Sequence, residues 1–203
     1  MPRITKDPET RKNEILDAAQ ELFITQGFEQ TAVSDIVKKV GVAQGTFYYY
    51  FKSKEEILKA VLERLIDQIV KSLTSVVYDQ RLNAVQKMQG FIDGLFSFER
   101  GKESMMEYVH REQNAIVHNR LAASLIEKII PLISQIVEEG VKEGVFDTDH
   151  PLESAEVLLF GVGYIHDSVA FSGDEEIYRQ KMLATQDVVE RVLGAEKGSI
   201  RLI

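Results

Sequence analysis

Residues 41–56 read Gly41-Val42-Ala43-Gln44-Gly45-Thr46-Phe47-Tyr48-Tyr49-Tyr50-Phe51-Lys52-Ser53-Lys54-Glu55-Glu56. Their spacing predicts a turn, a short helix and the opening of a long one. Gly41 is placed to end a preceding helix in the left-handed conformation. A third helix is expected from Gln44 to about Tyr50, with Phe47 and Phe51, four apart, forming its buried face. A helix served by those two rings has no packing reason to carry Tyr48 and Tyr49 on its other side, so both are expected to face solvent. Ser53 and Glu56 have capping-box spacing and predict a fourth helix from about Lys54 to Val77.

Upstream of this stretch, Asp7 followed by Pro8 marks a helix start, because Asp accepts from free N–H groups and Pro at the first position has none to lose. Ile15, Ala18, Ala19, Leu22 and Phe23 fall on one stripe of that helix, which Gly27 ends. Thr31 is the expected cap of a second, short helix whose apolar residues are Val33, Ile36, Val37 and Val40. Helix, short helix, glycine turn, short helix and long helix is the order of a helix-turn-helix head joined to a further domain.

The chemistry exposed on the third helix suits duplex DNA. A tyrosine offers its hydroxyl to phosphate oxygens and a flat edge to a thymine methyl, and Thr46 and Gln44 can reach phosphates or base edges. Gly45 lets the backbone approach closely, a helix N-terminus favours phosphate, and Lys54 adds a point charge. The 203-residue chain has net charge −8, which argues against a polyanionic partner until its distribution is considered. Residues 1–54 hold 8 Lys+Arg against 7 Asp+Glu, leaving 16 against 25 in the other 149. The acidic excess therefore lies outside the head.

Beyond residue 80 the pattern stays helical, with helices expected at 82–98, 103–114, 118–143, 151–171 and 174–193 and a frayed tail at 194–203. Pro131 is expected to kink or break its helix near Ile130. Residues 157–171 are apolar around nearly the whole circumference, so that helix belongs in a core or a subunit interface. The chain has no Cys and four His, which excludes disulfides, thiolate nucleophiles and cysteine-type zinc sites. No apolar run is long enough to span a bilayer and the first residues do not resemble a signal peptide, so a cytoplasmic location and no membrane partner are expected.

Phe23, Gly27-Phe28, Thr31, Ile36, Gly41-Val42, Gly45-Thr46-Phe47-Tyr48-Tyr49, Phe51 and Lys54-Glu55 together resemble the DNA-binding domain of the TetR family of repressors, over about residues 8–60. Two positions depart from the family's habit: Ala32 stands where Thr or Ser is frequent, and Tyr50 where His is frequent. The resemblance implies DNA contacts at Thr31, Gln44, Thr46, Tyr48, Tyr49 and Lys54, with Ser34 reading bases from the second helix. It implies an all-α fold of about nine helices, divided into a helix-turn-helix domain at 1–53 and a helical effector-binding and dimerisation domain at 54–203. The last two helices, about 151–193, would form a four-helix bundle with a second copy, and the middle helices would enclose a small-molecule effector. Gly161 and Gly163 fit the close helix contact such a bundle requires.

Large or polar groups in otherwise apolar helices are the candidate pocket: Phe91, Phe96, Met105, Met106, Tyr108, His110, Asn114, Tyr164 and His166. Their mixture suits a mainly hydrophobic ligand with one or two polar anchors. The expected function is a DNA-binding transcriptional regulator, a dimeric repressor on a palindromic operator that is released by its effector. The competing reading is a helical-bundle ligand- or metal-binding protein or enzyme without DNA binding. Glu107 and His110 have the i, i+3 spacing of a di-iron bundle, but His118, His150 and His166 supply no second copy. With no nucleophile elbow, phosphate loop or dinucleotide glycine pattern either, no catalytic residue, metal or cofactor is expected.

Overall fold

A computed structural model of the chain describes residues 7–97, 102, 108–109, 111, 114–170 and 174–203. Among the described residues the fold is all helical: α1 (Pro8–Gln26), α2 (Val33–Val40), α3 (Gln44–Tyr50), α4 (Lys54–Val77), α5 (Ala84–Ser97), α6 (Ala115–Glu143), α7 (Pro151–Ala170) and α8 (Glu175–Leu193). The helix expected at 103–114 falls largely outside the described residues. Two compact units are present, residues 1–67 with 99–121 and residues 68–98 with 122–203, and α4 contributes to both.

In the first unit, the Asp7 carboxylate accepts from the Thr10 N–H at 3.2 Å and Pro8 occupies the first turn, as the sequence predicts. The buried residues of α1 are Ile15, Leu16, Ala18, Ala19, Leu22 and Phe23. α2 is capped differently from expectation. Its N-cap is Ala32, which has no side-chain acceptor, and the Asp35 carboxylate reaches back to accept the Ala32 N–H at 2.9 Å. Thr31 lies one residue earlier, 1% exposed, donating its hydroxyl to the Gly27 carbonyl at 2.8 Å. Burial left that hydroxyl in need of a partner, and the end of α1 supplied one.

Gly41 ends α2 at φ 74° and ψ 38°, its N–H shared between the Val37 and Lys38 carbonyls. That left-handed geometry disfavours any residue with a Cβ. α4 opens with Ser53 Oγ accepting the Glu56 N–H at 3.2 Å, while the Glu56 carboxylate reaches one residue further back, to the Lys52 N–H. Along α4, Arg64 donates to the Asp17 carboxylate at 2.6 Å and so joins α4 to α1.

The second unit is organised around one core that includes Leu73 and Val77 of α4, Met88 and Phe91 of α5, Ile129, Ile136 and Val137 of α6, Ala155 and Leu158 of α7, and Met182 and Leu193 of α8. α5 begins two residues later than expected because Asn83 and Gln86 cap each other: the Gln86 N–H reaches Asn83 Oδ1 at 2.9 Å and the Asn83 N–H reaches Gln86 Oε1 at 3.1 Å. The buried Lys87 ammonium donates to Glu139 of α6 at 2.5 Å. Gly140 permits the closest approach in this unit, since a Cβ there would lie 2.0 Å from the Phe146 ring.

Two expectations are corrected here. α6 is unbroken through Pro131. Proline deprives the carbonyl four residues earlier of its partner, but Glu127 and Pro131 both lie on the exposed face, where water can serve instead. The tail is not frayed either. Ile200 and Leu202 are buried in the core, Glu190 Oε1 accepts the Gly198 N–H at 2.8 Å and the Ile200 N–H at 3.2 Å, and the Gln89 amide both donates to and accepts from the Arg201 backbone.

Candidate nucleic-acid interface

α3 is two-sided. Phe47 is fully buried and Phe51 nearly so, their ring centroids 5.9 Å apart, and this pair fixes which way the helix faces. On the other side Tyr48 is 50% and Tyr49 78% exposed. Neither ring is loose: Tyr48 stands edge-on to Phe47 at 5.4 Å and Tyr49 edge-on to Tyr50 at 4.9 Å. Such aromatic pairs contribute about 0.5–1.5 kcal/mol beyond buried area, enough to bias the rings before a ligand arrives.

The other expected contact residues divide. Ser34, Gln44 and Gly45 are exposed, and Thr46 is half-buried with its N–H on the Ala43 carbonyl at 2.9 Å. No atom lies within 4 Å of a Cβ built on Gly45, so packing within the chain does not require glycine there. Thr31 is corrected out of the exposed set, since its hydroxyl is buried and bonded to the Gly27 carbonyl.

Lys54 has partners the sequence did not suggest. Its ammonium donates to the carbonyls of Phe28, Glu29 and Thr31 at 2.8, 3.3 and 3.0 Å and lies 4.2 Å from the centre of the Phe28 ring. The charge that looked available to phosphate holds the turn between α1 and α2. Sequence reasoning passed over Lys38, Lys39 and Lys52, which are exposed on the same head; Lys39 is paired with Glu21 at 2.7 Å. The signal for them was the local cationic balance, which carries no information about which lysine faces out.

The expected pocket residues that are described fall in both units. Phe91 is fully buried in the second unit's core. Phe96 and His166 lie together, ring centroids 5.0 Å apart, and His166 meets the edge of Tyr178, a residue the sequence reading missed, at 5.9 Å. Tyr164 is corrected: it is 77% exposed on the outer side of α7. Tyr108 and Asn114 belong to the first unit, where the Tyr108 ring lies 4.2 Å from Phe28 and Asn114 donates to the Tyr108 carbonyl at 2.6 Å. Burial, followed by the charges of Glu55 and Glu29, pushes the Tyr108 phenol above its ordinary value. Met105, Met106 and His110 lie outside the described residues. Among the described residues no group of three or more His, Asp or Glu side chains could hold a metal ion, and no helix is long and apolar enough to cross a membrane.

A short helix, a left-handed glycine turn and a second short helix that packs by one face and leaves the other exposed is the arrangement of the helix-turn-helix class of DNA-binding proteins. Residues 15–61 match the family model described as bacterial regulatory proteins of the tetR family, and residues 97–188 match that of the tetracyclin repressor-like C-terminal domain. The chain belongs to the TetR family of transcriptional regulators and is a DNA-binding regulator. It is 27% identical over 150 residues to the fatty acid metabolism regulator protein of Bacillus subtilis, covering 73% of this chain and 77% of that one. In structure it resembles a transcriptional regulator from Cytophaga hutchinsonii, with TM-score 0.73 and 18% identity over 93% of this chain and 98% of that one. It also resembles the fatty acid degradation regulator FadR from Bacillus halodurans, with TM-score 0.62 and 20% identity over 95% and 98%.

Proposed function

We propose that the protein is a repressor that binds a palindromic operator as a homodimer and leaves it when a small, mainly apolar effector binds, acting in the cytoplasm where its operator lies. The carrying observation is the division of α3, with Phe47 and Phe51 inside and Tyr48 and Tyr49 outside on rings already braced. Gln44, Gly45 and Thr46 precede those rings on the same short helix, and the exposed Ser34, Lys38 and Lys52 of the head are proposed as further base and phosphate contacts. Lys54 acts on the duplex through the turn it holds. The division of labour is residues 1–53 for DNA and 54–203 for effector and dimer contacts.

Dimerisation is supported by α7 and α8, which pack together yet leave Val157, Phe160 and Tyr164 of one and Ile177 and Val188 of the other exposed. Val157, Phe160 and Tyr164 stand at i, i+3 and i+7, one stripe of one helix. A second copy related by a two-fold axis covers both helices in a four-helix bundle, and the open space beside Gly161 and Gly163 lets the helices close. For the effector, Phe96, His166 and Tyr178 give an apolar wall with polar edges, which suits an acyl or aromatic molecule bearing one polar group. The names of two similar proteins, both regulators of fatty acid processes, favour the acyl class. Such an effector empties the operator by favouring the dimer form whose α3 helices are wrongly spaced, and only as far as its affinities for the two forms differ.

The family is one of transcriptional regulators, which favours this reading over a catalytic one. The test is an anisotropy titration of Tyr49→Ala against a duplex selected by the unaltered protein. Loss of binding with an unchanged dimer supports the assignment of α3, and retained affinity removes it.

A further inference from the structure

Residues 97–188 match a C-terminal domain model, yet residues 99–121 belong to the compact unit of the DNA-binding head. Three described residues show what that segment does there. The Tyr108 ring lies on Phe28 at 4.2 Å, Arg111 pairs with Glu29 at 2.7 Å, and Asn114 holds the segment's own backbone through the Tyr108 carbonyl. Phe28 and Glu29 are in the turn whose carbonyls the Lys54 ammonium gathers. That turn ends at Thr31 and runs directly into α2, the first helix of the helix-turn-helix pair. From Asn114 the chain runs directly into α6, which forms much of the second unit's core.

We infer that Tyr108 and Arg111 are positioning residues for DNA recognition: they clamp the turn at Phe28 and Glu29 and thereby set the orientation of α2 and α3 from a segment continuous with α6. The inference rests on the regulator reading above and deepens it. Both act through the turn, Tyr108 on Phe28 and Arg111 on Glu29. Lys54 holds the turn by its carbonyls and by the Phe28 ring, and the clamp holds it by the Phe28 and Glu29 side chains, so the two share the Phe28 ring and the Arg111–Glu29 pair belongs to the clamp alone.

The ion pair gives a clean test because it is exposed enough for both partners to be exchanged, at 36% and 47% side-chain exposure. Glu29→Arg, Arg111→Glu and the double exchange are titrated against a duplex selected from random DNA by the unaltered protein, with thermal midpoints measured alongside. Each single reversal places like charges in contact, and the double exchange restores the pair at the original net charge. The expected result is a coupling of about two- to fivefold in operator affinity, recovered in the double exchange, with midpoints little changed. Affinities that simply multiply, or a double exchange no better than its worse single, overturn the clamp. An unaltered protein that selects no DNA overturns the regulator reading instead, which keeps the two failures apart.

Discussion

Tyr49 and Thr31 show how differently two residues of one motif can work. Tyr49 is exposed and braced by Tyr50, so Tyr49→Ala is expected to leave the thermal midpoint nearly unchanged. Its loss from a DNA contact is worth about 1–3 kcal/mol, a drop in operator affinity of roughly ten- to a hundredfold by titration. Thr31→Val has the opposite signature. It leaves the Gly27 carbonyl short of a donor in a buried place, so urea denaturation should show a loss of about 1–3 kcal/mol while the remaining folded protein still binds. Side-chain type and spacing were enough to place Tyr48 and Tyr49 outside and Phe47 inside. They were not enough for Thr31 and Lys54, whose partners sit on other elements, the Lys54 contacts being 23 to 26 residues away.

Among the elements, α1, α3 and α4 have the boundaries the sequence indicates, because Asp7, Gly27, Gly41 and Ser53 are local signals acting within one turn. The tail was misread because its deciding contacts are distant, as with Gln89 and Arg201, 112 residues apart. Glu190→Ala should release the tail by removing the acceptor of two backbone N–H groups, lowering stability by about 1.5–3 kcal/mol and raising hydrogen exchange at Gly198 and Ile200. The contact between α5 and α6 has a pH signature. Burial alone would raise the Glu139 carboxyl, but hydrogen bonds from Lys87 and Gln135 hold it below its ordinary value of 4.5. A depressed carboxylate stabilises the fold above its unfolded pKa, and that contribution is lost as pH falls through the folded one. The difference in urea midpoint between the unaltered protein and Glu139→Gln should therefore be full at pH 7, worth about 1 kcal/mol for this partly exposed group, and close below about pH 4.5.

For the whole molecule, charge and apolar surface assign complementary tasks. The acidic excess outside residues 1–54 favours the head as the face for a polyanion, and the exposed apolar stripe on α7 supports the proposed contact with a second copy. Phe160→Glu should convert the dimer to a monomer in sedimentation and, by uncoupling the two heads, weaken operator binding without touching α3. The central claim, that α3 reads a duplex, is tested most directly by selecting duplexes from random DNA with the purified protein and titrating the winner at two salt concentrations. A palindromic site whose affinity falls as salt rises, and which Tyr49→Ala binds roughly ten- to a hundredfold more weakly, is the expected result. A folded dimer that enriches no sequence at either salt, or one that binds equally well without the Tyr49 ring, would contradict it.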